Sequence, residues 1–125
     1  MNPKSNFISH AALLAILPFF GGCANTVSDF RNSPPVLLFH SAQSARNVAV
    51  CIDAGWSGAL NGFTMQPTPT GYTITFVNSG LIYYMADINN QVVGGSTTKY
   101  WVGAFTTSHY IKKFGEIARH CQDAA

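Results

Sequence analysis

Tyr72-Thr73-Ile74-Thr75-Phe76-Val77-Asn78, followed by Ser79-Gly80 and then by the run Leu81 to Asn89, is the stretch that decides the fold. Tyr72, Ile74 and Phe76 alternate with Thr73, Thr75 and Val77. A period of two predicts a strand with one apolar and one polar face. Asn78-Ser79-Gly80 carries the residue types of a tight turn. Leu81 to Asn89 therefore returns as the second arm of an antiparallel hairpin.

On the carboxyl side, Asn90 to Gly95 reads as a loop with Gly94-Gly95 at its end, and Ser96 to Val102 as a third strand. Thr107 or Ser108 caps a closing helix that runs to about Asp123. Tyr110, Phe114, Ile117 and Cys121 share one of its faces, while Lys112, Lys113, Glu116, Arg119 and His120 lie mostly off it. On the amino side, Phe63 to Gln66 is a short strand that Pro67 and Pro69 confine to an edge. Ser41 is the expected cap of a helix reaching about Leu60. Its apolar residues, Val48, Cys51 or Ile52, Gly55 or Trp56, and Ala59 or Leu60, recur at intervals of three and four. The expected fold is α+β: a helix, three to four antiparallel strands and a helix, with both helices packed on one sheet face. Residues 41–125 form this single domain.

Residues 24–40 read as a tether ending in an apolar patch. Asn32-Ser33-Pro34-Pro35 is extended. Val36-Leu37-Leu38-Phe39 is too apolar to hang free and is expected to dock on the domain.

The start of the chain reads as an export signal. Lys4 and the amino terminus precede an apolar run from Ala11 to Phe20, too short to span a bilayer and of the length of a signal-peptide core. Gly21-Gly22-Cys23 follows. These residues resemble a bacterial lipoprotein signal, with Phe20 standing where that signal usually has Leu. The resemblance implies a signal peptide at 1–22, cleavage before Cys23 and lipid (palmitate among the chains) on Cys23, leaving residues 23–40 as a lipidated amino terminus and tether. Ala24 after the cysteine, where an Asp would favour the inner membrane, implies anchoring in the outer membrane, facing the periplasm. An ordinary secretory cut after Ala24 is the competing reading, since Gly22 and Ala24 are a small-x-small pair.

With Cys23 lipidated, Cys51 and Cys121 remain. An exported compartment permits a disulfide between them, from helix to helix, worth about 4 kcal/mol for a loop of that size. Two buried free thiols are the alternative. The Cys51-x4-Trp56 helix, the Gly94-Gly95-Ser96 loop and the late Cys121 resemble small proteobacterial lipoproteins of unknown function, a resemblance that implies no activity.

Composition excludes several classes. The 125 residues carry a formal charge of +2, and no basic cluster extends beyond Lys112-Lys113, so no nucleic-acid partner is expected. His40, His109 and His120 lack the spacing of a metal site, and no cofactor or metal is expected. Asp53 and Asp87 are the pair of carboxylates that a hydrolase would need to converge, and nothing in the sequence joins them. Trp56-Ser57-Gly58 lies on a helix and is no nucleophile elbow. No catalytic residue is assigned.

The aromatic residues carry the better signal. Alternation places Tyr83 and Met85 on the Asp87 side of the sheet and Trp101 on the Lys99 side, the face opposite the helices. Asp87 and Lys99 are expected to face water. Either Tyr83, Met85 and Trp101 form an exposed surface for a partner, or Val36–Phe39 folds back and covers them. The leading expectation is a non-enzymatic envelope lipoprotein that reaches the membrane through its lipid anchor and binds another envelope protein. The alternatives are a cell-wall-modifying hydrolase and an inhibitor or immunity protein of an exported enzyme.

Overall fold

A computed structural model describes residues 26–123. The expected signal peptide, the expected lipidation site Cys23 and the first residues of the expected tether lie outside the described residues. The element order is α1 (Val27–Arg31), β1 (Leu37–Ser41), α2 (Ala45–Ala59), β2 (Phe63–Pro67), β3 (Gly71–Asn78), β4 (Leu81–Asn90), β5 (Ser96–Val102) and α3 (Ser108–Asp123). The strands form one antiparallel sheet in the order β1-β5-β4-β3-β2. Strands β2 to β5 are consecutive hairpins. β1 closes the far edge, and α2 crosses the sheet to connect the two edges.

The β3–β4 hairpin forms as read. Asn78 pairs with Leu81, leaving Ser79-Gly80 as a two-residue turn in which both residues have positive φ, 53° and 76°. That geometry matches the twist of the flanking strands. The loop between β4 and β5 ends at Gly95, whose φ is 75° and whose missing side chain makes room for the Ser41 carbonyl. Gly94-Gly95-Ser96 is thus a hairpin connection packed against the end of β1.

Helices α2 and α3 lie on one sheet face, as expected. Val48, Ile52 and Trp56 of α2 and Phe114, Ala118 and Cys121 of α3 bury themselves against Ile74, Tyr84, Ala86, Ile88 and Tyr100. The Trp56 indole donates to the Phe114 carbonyl at 3.0 Å. The helices meet along Cys51 and Gly55 on one side and Ile117 and Cys121 on the other. A methyl group on Gly55 would strike Ile117 Cγ2. That close approach brings Cys51 and Cys121 to a Cα separation of 5.6 Å, and they are joined by a disulfide.

Three expectations are corrected. The first long helix starts at Ala45 with Ser44 as its cap, not at Ser41, because Ser41 is still paired with Ser96 at the end of β1. The sheet has five strands among the described residues, because Leu37–Ser41 pairs with β5. The segment expected to be a tether also contains α1. Thr26 accepts from the Asp29 amide at 3.1 Å, and the Asp29 side chain accepts from the Thr26 amide at 3.3 Å. This reciprocal pair satisfies two donors that a five-residue helix would otherwise leave exposed.

Candidate functional site

The face of the sheet away from α2 and α3 is where α1 docks. Phe30, the buried residue of α1, packs with Met85, Trp101 and Ile82, and Val27 flanks them. The Trp101 indole donates to the Ser33 carbonyl at 3.0 Å, and Ser33 Oγ donates to the Phe30 carbonyl at 2.9 Å. The polypeptide after α1 is therefore tied down before Pro34-Pro35 leads it into β1.

Arg31 ends α1 and reaches the sheet. Its Nε donates to Asp87 Oδ2 at 2.7 Å, and its Nη2 donates to Asp87 Oδ1 at 3.0 Å and to Thr73 Oγ1 at 2.9 Å. Thr73 Oγ1 donates to Asp87 Oδ1 at 2.6 Å. Thr73 and Asp87 are cross-strand partners, so β3 and β4 present them side by side. The fork of the guanidinium matches the two carboxylate oxygens, the strongest geometry such a pair can take. The hydrogen bond to Asp87 holds the Arg31 pKa above its ordinary value, opposed in part by burial.

Beside this network lies an open cavity of about 580 Å³. Arg31, Asp87, Asn89, Lys99 and Trp101 line it, and Pro67 to Thr70, the connection between β2 and β3, completes it. Thr70 Oγ1 donates to Asn89 Oδ1 at 2.6 Å, which fixes that connection to β4. Lys99 is the cross-strand partner of Asp87, and its side chain is exposed with no ion pair among the described residues. Two cations, Arg31 and Lys99, thus line the cavity with one carboxylate, Asp87, and only Arg31 is paired with it.

The residues expected to form a partner surface are separated here. Met85 and Trp101 are cross-strand neighbours on the face assigned to them, but they are buried, with Trp101 only 3% exposed. Their cover is Phe30 of α1, not Val36–Phe39, of which Leu37 to Phe39 are paired with β5 in strand β1. Tyr83 is on the other face. The β3–β4 register shifts between Phe76 and Val77, so Phe76 pairs with Tyr84 and Val77 with Ile82, and Tyr83 is the extra residue of a bulge. Its ring meets Phe76 at 5.9 Å. Simple alternation carries Tyr83 to the Met85 side, and one bulged residue reverses that.

Asp87, expected to face water, is 6% exposed beneath Arg31, whereas Lys99 faces water as expected. Asp53 is on α2 and Asp87 on the α1 face, so the sheet lies between them. His40 sits by Thr97 at 3.5 Å, His109 against the Tyr110 ring, and His120 is exposed. Among the described residues no three His, Cys, Asp or Glu side chains gather where a metal ion would sit, and no helix is long and apolar enough to cross a membrane. Sequence reasoning missed Arg31 and its role. The available signal was the Thr26-x-x-Asp29 spacing of a helix start, upstream of Pro34-Pro35. No protein-family model, curated protein or solved structure matches the chain.

Proposed function

We propose that this chain is a non-enzymatic accessory module of the cell envelope that binds an acidic group of another envelope protein in the cavity beside α1. It is anchored in the outer membrane by lipid on Cys23, facing the periplasm, in the manner of the small proteobacterial lipoproteins its leader and Cys51-x4-Trp56 helix resemble. The observation that carries the reading is the charge at the cavity. Arg31 and Lys99 flank a single carboxylate, and Lys99 has no ion-pair partner among the described residues. An incoming carboxylate gains a charge-assisted contact with the exposed Lys99 there. Both oxygens of Asp87 already accept hydrogen bonds from Arg31, and Oδ1 also accepts from Thr73. Such a carboxylate positions an arginine, and a general base would need to reach a substrate proton instead.

The test is affinity capture from detergent-solubilised envelopes with the full-length protein. Lys99→Glu reverses the charge of an exposed side chain and is expected to abolish recovery of the partner, and salt is expected to weaken the wild-type complex. Equal recovery by both proteins would sink the reading. Anchoring is tested separately: Cys23→Ser is expected to release the protein from membranes or block its maturation, and unchanged fractionation with no lipid on the wild type would refute it.

A second reading, an inhibitor or immunity protein, is favoured by one feature. The loop from Gln91 to Gly95 projects Val92 and Val93 fully into solvent, 105% and 95% exposed, on a turn held by two backbone hydrogen bonds. An apolar tip on a fixed turn suits insertion into a partner's cleft. Loss of capture in Val92→Asp with retention in Lys99→Glu would favour this second reading.

A further inference from the structure

The β1 edge and the outer stripe of α3 point to a single partner. β1 pairs only with β5 among the described residues, so its other edge leaves backbone donors and acceptors open. It carries no proline, no lysine and no bulge between Leu37 and Ser41, three devices that commonly block pairing at an edge strand. β2, at the opposite edge, ends in Pro67. Leu37 and Leu38 are 37% and 51% exposed. Between β1 and α3 runs an apolar groove of about 300 Å³, lined by Leu37, Phe39, Ile111 and Gly115 and bordered by Lys112, Glu116 and Arg119.

The charges along that border have an order. Lys112, Glu116, Arg119 and Asp123 are all exposed and are spaced four, three and four residues apart. At about 100° per residue they fall on one stripe of α3. Their signs read plus, minus, plus, minus. Laid antiparallel against itself, the stripe sets Lys112 opposite Asp123 of the second copy and Glu116 opposite Arg119 of the second copy, and the same two pairs recur by symmetry. Every position meets its opposite sign. In the free chain only a 4.0 Å contact between Lys112 and Glu116 joins two members of the stripe, a solvent-exposed pair of little value.

The strand and the stripe fit one symmetry axis. The stripe spans about 16 Å at 1.5 Å per residue. β1 spans about 17 Å at 3.4 Å per residue. Gly115 lies beside Leu37, and the Gln122 carbonyl accepts from Ser41 Oγ, so α3 runs in the same direction as β1 above it. The middle of the stripe, between Glu116 and Arg119, therefore lies over Phe39, the middle of β1. We propose that two copies of this chain associate by antiparallel pairing of β1 with β1, continuing the sheet across a two-fold axis, with the two α3 stripes in contact. A C2 interface of this kind requires a self-complementary patch, and this patch is self-complementary in backbone, apolar groove and charge.

The experiment is the molar mass of the full-length protein in detergent as concentration rises, alongside three variants at exposed positions. The wild type is expected to reach twice the mass of the chain reversibly. Glu116→Arg places like charges together twice and is expected to weaken the dimer roughly tenfold. Adding Arg119→Glu restores opposite signs and is expected to recover affinity to within about threefold of wild type. Leu38→Lys is expected to abolish the dimer, because a lysine on the edge blocks pairing. Hydrogen exchange of the wild type gives a readout free of substitutions: amides of residues 37–41 are expected to slow as concentration rises. A monomer at every concentration would overturn the proposal, as would a dimer indifferent to Leu38→Lys and Glu116→Arg. So would a monomer that takes an extended segment of a different protein along β1.

Discussion

Replacing Phe30 by Ala tests whether α1 is a structural part of the domain. Phe30 is 3% exposed and supplies the cover over Met85 and Trp101. Losing about 150 Å² of buried aromatic surface, at about 25 cal/mol per Å², costs about 4 kcal/mol. That agrees with the 3–5 kcal/mol typical of buried Phe→Ala changes. α1 can respond by releasing its grip, because it is only five residues long and, with Phe30 gone, is held on the sheet by Val27, Arg31 and the Trp101–Ser33 hydrogen bond among other contacts. Release returns backbone entropy and limits the global loss to about 3 kcal/mol. It also exposes Trp101 while Trp56, sealed at 0% exposure on the other face, stays protected. The assay is urea unfolding of the full-length protein together with acrylamide quenching. Two shielded tryptophans are expected in the wild type, and one shielded and one accessible in the variant. Unchanged quenching with a loss below about 1 kcal/mol would refute the claim that α1 completes the second core.

Arg31→Met leaves the buried Asp87 with Thr73 as its only side-chain partner among the described residues, and is expected to cost about 2 kcal/mol in urea unfolding, less than a fully buried pair because the arginine is 45% exposed; adding Asp87→Leu should recover part of it, and a cost within error of zero would deny the pair its role. Removing the Cys51–Cys121 bridge, as Cys51→Ala with Cys121→Ala, should lower stability by about 4 kcal/mol for its 70-residue separation, and equal unfolding midpoints would contradict it. Burial pushes the phenols of Tyr84 and Tyr100 above their ordinary value of 10.0, so the folded chain holds protons that the unfolded chain releases. That contribution is complete below pH 10 and is lost as pH rises from there toward the folded-state values. Tyr100→Phe should flatten the alkaline fall in stability, and an identical slope would refute the assignment.

The turn, the period-two strands and the two long helices were legible because each is a pattern of residues close together in the chain: turn-forming residue types at Asn78-Ser79-Gly80, alternation in the strands and recurrence at three and four in the helices. The disulfide followed from parity and from two cysteines at equivalent positions on facing helical stripes. α1 was not legible: five residues show no periodicity, and Pro34-Pro35 directed attention to extended chain. β1 read as an apolar patch because its identity as a strand depends on β5, far away in sequence. The Tyr83 bulge left no mark, since nothing in Tyr83-Tyr84 says which residue is extra. Arg31 and Asp87 are 56 positions apart, and each alone is an ordinary charged residue. The cavity is therefore a product of tertiary pairing, which is why neither Arg31 nor Thr70 stood out in the chain.

A photoreactive side chain at Thr70, on the exposed connection that lines the cavity, tests the binding reading most directly, with Val50, 49% exposed on α2 across the sheet, as the control position. After irradiation of cells making the full-length protein, a discrete adduct is expected from Thr70 and not from Val50, and Lys99→Glu is expected to remove it. No adduct at Thr70, or equal adducts at both positions that persist in Lys99→Glu, would contradict a partner seated beside Arg31 and Lys99.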